Sequence, residues 1–98
     1  MFHHTVLMEF TANADRAFHD AVEAYAEEIR RLPYVRRYVF RRNLASRSDG
    51  LEWIVFGSFE SSADHDAYQV SDAHQRMKAY MTPFIARLIA CDIDEEQS

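Results

Sequence analysis

Residues 2–10 alternate, with Phe2, His4, Val6, Met8 and Phe10 on one side and His3, Thr5, Leu7 and Glu9 on the other. An extended chain sends successive side chains to opposite faces, so this stretch reads as a strand with one strongly apolar face. The period then changes. Phe18, Val22, Tyr25, Ile29 and Leu32 recur at steps of four, three, four and three, which is one face of a helix about five turns long. Thr11 or Asn13 is the expected cap. Asp15 falls in the first turn, where the helix dipole favours an anion, and Pro33 ends the run.

A second strand is expected at Val35–Asn43, where Tyr38, Val39 and Phe40 are set among arginines, and Ala45–Gly50 is a turn by composition. The third strand, Leu51–Phe59, is apolar on both faces: Leu51, Trp53, Val55 and Phe59 on one, Ile54 and Phe56 on the other. Ser61 or Ser62 is placed to cap a short helix through Tyr68. Asp72 is placed to cap another, which turns Ala73, Met77, Tyr80 and Met81 inward and breaks near Pro83. A last strand at Arg87–Ile93 leaves residues 94–98 as a solvated, flexible tail. The order β-α-β-β-α-β is that of a ferredoxin-like α+β unit with a four-stranded antiparallel sheet. Such a sheet packs helices on one face and keeps the other polar. Here Leu7, Ile54 and Phe56 would make the second face a large apolar patch. The pattern therefore predicts a homodimer through that face, two sheets together forming a dimeric α/β barrel.

Composition agrees with this economy. The chain has 98 residues, enough for a single domain and no second one. A core this small tends to need a disulfide, a metal or a partner subunit. The lone Cys91 excludes an internal disulfide, and there is no CxxC, HxH or HxxxH spacing for a metal. No leader-like segment or membrane-length apolar run is present, so a cytoplasmic protein without membrane contact is expected.

Charge is unevenly spread. Arg30, Arg31, Arg36, Arg37, Arg41, Arg42 and Arg47 give residues 30–47 a charge of +7 with no acidic residue among them, which leaves −12 for the rest of a chain whose total is −5. Nucleic-acid binding is the obvious thought. Against it, the third strand LEWIVFGSF lacks the basic opening and leading glycine with which RNA readers of this topology stack bases. In the ferredoxin-like order the second strand is also an edge, where charge discourages pairing with another chain. The arginines are therefore read as edge protection, and no nucleic-acid partner is expected.

Of the five histidines, His3, His19 and His65 occupy polar positions, whereas His4 lies on the strand face that meets the helices and His74 begins a helix. A histidine in a half-buried pocket can take or give a proton near neutral pH. Tyr68 precedes His74 across a break between helices, and Tyr25 sits on the apolar stripe of the long helix. Proton removal next to a carbonyl requires a neutral base and a donor for the enolate oxygen. His74 is the candidate base, with Tyr25 or His4 as donor, and Phe18, Val22, Trp53, Val55 and Met77 are expected to line the apolar part. The competing reading is that these groups only pack the core.

Four phrases carry a family resemblance: HHTVLMEF, LPYVRRYVFRRNL, WIVFGSFES and AYQVSDAHQRM. In order and spacing they resemble the stress-responsive dimeric α/β-barrel family known as Dabb, over roughly residues 2–93. Tyr34 and Arg41 stand where the family commonly has glycine, and Ser71-Asp72 replaces its usual His-Pro before Ala73-His74. The resemblance implies a ferredoxin-like unit whose two copies join sheets into a barrel. Plant polyketide cyclases of this family close a linear thioester by an intramolecular aldol reaction without a cofactor. Their pocket positions match Tyr25, Tyr68, His4 and His74, with His74 as the base and Tyr68 as the hydroxyl that orients it. A further pocket histidine falls at Trp53 here, and a tryptophan of the last helix at Ile85. The implied function is a dimer that binds a small, mostly apolar carbonyl compound, with cofactor-free cyclase, isomerase or lyase-like chemistry on it. The alternatives are a non-catalytic binding or structural dimer and, from related barrels, a cofactor-free monooxygenase or a heme binder.

Overall fold

In a computed structural model that describes residues 1–96, the chain forms the strands β1 (Phe2–Phe10), β2 (Arg37–Arg42), β3 (Trp53–Phe59) and β4 (Ile85–Asp94). The helices are α1 (Arg16–Arg30), α2 (Ser62–Gln69) and α3 (Asp72–Met81), and a 3-10 turn at Thr82–Phe84 leads into β4. The strands form one antiparallel sheet in the order β2-β3-β1-β4. This is the ferredoxin-like fold, with two consecutive helices in the second helical position. β2 is an edge strand, as the pattern required.

Local signals were shifted by a few residues. Asp15, expected inside the first turn of α1, is itself the cap, its carboxylate accepting from the Phe18 N–H at 3.0 Å. Ser71, not Asp72, caps α3: its hydroxyl accepts from the His74 N–H at 3.2 Å and donates to the Tyr68 carbonyl at 2.7 Å, joining the two helices. Ser61 caps α2. Asp94 lies inside β4 and Glu95 bonds back to the Met1 carbonyl, so the expected tail is docked through these residues. Its last two positions, 97 and 98, lie outside the described residues.

Phe18, Val22, Ala26 and Ile29 bury one side of α1 in the core with Met8, Tyr38, Phe40, Val55 and Phe59 from the sheet. The other sheet face has no helix on it. Leu7, Ile54 and Phe56 lie half-buried there, and Ile89 and Ile93 of β4 remain 45% and 61% exposed. Five of the seven clustered arginines have carboxylate partners: Arg30 with Glu23 and Glu27, Arg31 with Glu27, Arg36 with Glu60, Arg41 with Glu23, and Arg42 with Glu52. The basic segment and the acidic remainder thus meet across the fold, which accounts for the uneven charge without a polyanion. No helix of the described residues is long and apolar enough to cross a membrane.

Candidate functional site

A cavity of about 210 Å³ opens between α3 and the β1–β4 side of the sheet. Its walls are mostly apolar, with Val6, Met8, Val55, Met77 and Met81 among them, and Lys78, Gln69 and Leu88 stand around it. Four side chains bring chemistry into it: His4, Tyr38, Tyr68 and His74. His4, Tyr68 and His74, with Val55 and Met77, are thus brought together from β1, α2, α3 and β3.

The other expected residues lie elsewhere. Tyr25 sits on the flank of α1, its ring 5.7 Å from that of Tyr80 and beneath the Arg76 guanidinium. Phe18 and Val22 are fully buried under α1, with Phe18 packed on Tyr80 and Phe84. The reason is that α1 packs against β2 and α3, whereas the cavity is walled mainly by α3, β1 and β4. Trp53 is two residues along β3 from Val55, the β3 residue that borders the cavity, a displacement of about 7 Å at the rise of a strand. It instead stacks on His19 and Phe40 in a second, polar cleft with Glu9, Arg42 and Glu52. Ile85 does reach the cavity.

Hydrogen bonds decide which nitrogen of His74 is free. Its Nδ1 is 3.0 Å from the Gln69 carbonyl. A carbonyl only accepts, so Nδ1 carries the proton and Nε2 keeps its lone pair. Burial lowers the His74 pKa from its ordinary value of 6.5, and nearby Lys78 adds to this against the opposing pull of the Gln69 carbonyl. The ring is a neutral base at neutral pH. Tyr68 packs its ring against His74, with centroids 4.5 Å apart, but its hydroxyl bonds the Tyr38 hydroxyl at 2.8 Å. The expectation that the Tyr68 hydroxyl orients His74 is thereby corrected: the Gln69 carbonyl does so. Burial raises both tyrosine pKa values, so both remain phenols and hydrogen-bond donors.

His4 is fixed in the same manner. Its Nδ1 lies 2.6 Å from the Asp92 carboxylate on β4, and its other nitrogen is left to the helix side. Beside it is His65, which was read as a polar helix residue and is in fact 6% exposed among Phe2, His4, Phe59 and Tyr68. Burial lowers its pKa. One ring nitrogen each from His4 and His65 and a carboxylate oxygen of Asp92 lie within 4.8 Å of one another. Tyr38, His65, Asp92 and Gln69 are the site residues that sequence reasoning missed. The strand parity of Tyr38 with Phe40 marked the first, and the helical step from His65 to Tyr68 the second. The Asp92 partnership spans 88 positions and has no local signal.

With this geometry in view, comparison with known families is decisive: the model of the stress responsive A/B barrel domain, Dabb, matches residues 2–95. The chain belongs to the Dabb family. Comparison with curated protein sequences gives no match. Among solved structures, the Dabb chain is similar to a dimeric ferredoxin-like protein of unknown function from Thermobifida fusca, with 17% identity, a TM-score of 0.81, and coverage of 94% of this chain and 88% of that one. It is similar to the hydroxynitrile lyase of Passiflora edulis at 16% identity and TM-score 0.82, covering 99% and 96%. A putative antibiotic biosynthesis monooxygenase from Nitrosomonas europaea is similar at 14% identity and TM-score 0.81, covering 99% and 100%. These likenesses concern the fold.

Proposed function

We propose that this Dabb protein is a homodimer that binds a small, mostly apolar carbonyl compound in the cavity between its sheet and α3, and catalyses proton transfer on it without a cofactor. His74 is the general base, and the Tyr38–Tyr68 hydroxyl pair supplies the donor to the developing enolate oxygen; His4, whose Nδ1–H is given to Asp92, has no proton to offer there. The observation that carries the reading is the His74 ring itself. A backbone carbonyl holds its Nδ1–H, and burial keeps it neutral inside an apolar cavity of about 210 Å³. A volume near the low end for ligand sites suits a small molecule. Cyclisation, isomerisation and cyanohydrin cleavage all use this acid–base pair. The hydroxynitrile lyase among the similar folds makes the last worth assaying first.

The experiment is a panel of small ketones, aldehydes and cyanohydrins, followed by deuterium exchange next to the carbonyl or by aldehyde release. His74→Ala should lower turnover by about 10²- to 10⁴-fold, the usual contribution of a general base, with the melting temperature nearly unchanged. If the substitution reduces stability and leaves ligand binding and turnover intact, the histidine is packing and the protein a binding or structural dimer.

A further inference from the structure

We propose that His4, His65 and Asp92 form a binding site for a divalent transition-metal ion, zinc by the nature of the donors, beside the cavity. Two imidazoles and one carboxylate are a donor set that suits zinc and leaves coordination positions open. The three come from β1, α2 and β4, and their donor atoms lie within 4.8 Å of one another. Bonds of about 2.0–2.2 Å to one ion would separate such donors by roughly 3–3.5 Å. The donor atoms already lie within 4.8 Å, so small side-chain rotations suffice, and an ion would displace the proton now shared by His4 Nδ1 and Asp92.

The surroundings are those of a prepared site. The His65 ring is held between Phe2, Phe59 and Tyr68. The His4 and His65 rings lie 4.6 Å apart, centroid to centroid. Both rings are buried, while the Asp92 side chain is 38% exposed, which gives an ion a way in from the β4 edge. A histidine needed only for packing would not require a second imidazole and a carboxylate turned to the same point. The site does not rest on the acid–base reading, because His74 is not one of its donors.

The test uses the full chain stripped with a chelator, then titrated with Zn²⁺ by calorimetry and with Co²⁺ by its d–d absorption. One ion per chain is expected. Asp92→Asn and His65→Gln should each weaken binding by at least about tenfold, the least effect seen even for groups that only support a ligand. His3→Ala, which removes the other histidine near a carboxylate, should leave affinity unchanged. Histidine ring NMR of the unaltered protein should show Zn²⁺ shifting His4 and His65, a readout independent of how any variant folds. Absence of saturable binding, binding that survives both donor substitutions, or binding lost in His3→Ala would overturn the proposal. His74→Ala separates the two readings: it should lower turnover by about 10²- to 10⁴-fold and keep the metal affinity.

Discussion

Burial acts on the histidines in one direction. His19, His65 and His74 all have lowered pKa values, with loss of water as the largest cause in each. The consequence for stability has a definite sign. Between the lowered folded values and the ordinary 6.5, the unfolded chain binds more protons than the folded one, so stability rises with pH across that window. The contribution is complete above 6.5 and is lost as the pH falls through the folded values. Carboxylates held low by arginine, such as Glu27 beside Arg30, act only further down, below 4.5. Denaturation midpoints measured at falling pH should therefore drop before the carboxylate range is reached. His65→Gln should flatten that early loss. An unchanged early drop in the His65→Gln variant would show that His65 does not titrate with folding.

At the scale of elements, the site depends on one transverse row of the sheet. Asp92 of β4 pairs with His4 of β1, His4 with Gly57 of β3, and Gly57 with Tyr38 of β2. Gly57 is the empty place in that row. A β-carbon built there would lie 3.1 Å from Tyr38 Cδ1 and 3.2 Å from a Phe59 ring carbon, both on side chains with no exposure. The missing side chain lets the Tyr38 ring lie over β3 and reach Tyr68. Gly57→Ala should destabilise the fold by about 1–3 kcal/mol, as overpacking of a filled core does. It should also displace the Tyr38–Tyr68 hydroxyl pair. Chemical denaturation together with the tyrosine ultraviolet titration checks both effects, and an equally stable variant with unaltered tyrosines would refute the account.

The same row explains what could be read in advance. Alternation and helical spacing placed β1, α1 and β3, and they put His4, Val55 and Met77 on the right faces, because each is decided by neighbours a few residues away. Trp53 and Val55 share a face, yet only Val55 borders the cavity. Tyr25 shares the α1 stripe with Val22, yet α1 does not cover that cavity. Position along a strand, and which half of the sheet a helix covers, are set by pairing between distant segments. His65 went unrecognised for a related reason. An eight-residue helix carries too few positions for its buried side to be distinguished from its exposed one.

For the molecule as a whole, the open sheet face is the largest unfinished feature. Leu7, Ile54 and Phe56 lie at its centre, and Ile89 and Ile93 continue the apolar surface out to β4. His3 also stands on this face, stacked on Phe56 and bonded through Nδ1 to the Ser58 hydroxyl, so its ring is committed to the surface rather than to the cavity. Charges protect β2 as an edge: Arg37 and Arg41 are exposed, and Arg41 is paired with Glu23. The apolar side chains on β4 give no such protection. The homodimer we propose buries this surface against its own copy, each sheet facing the other. An isologous contact brings each substitution in twice, so Ile89→Asp should place two carboxylates in the interface and convert the dimer to a monomer. Sedimentation at micromolar concentration measures this directly. Arg16→Glu, exposed at the start of α1 on the helix side, is the matching control and should leave the dimer intact. A monomeric unaltered protein, or a dimer indifferent to Ile89→Asp, would remove the open face as the interface.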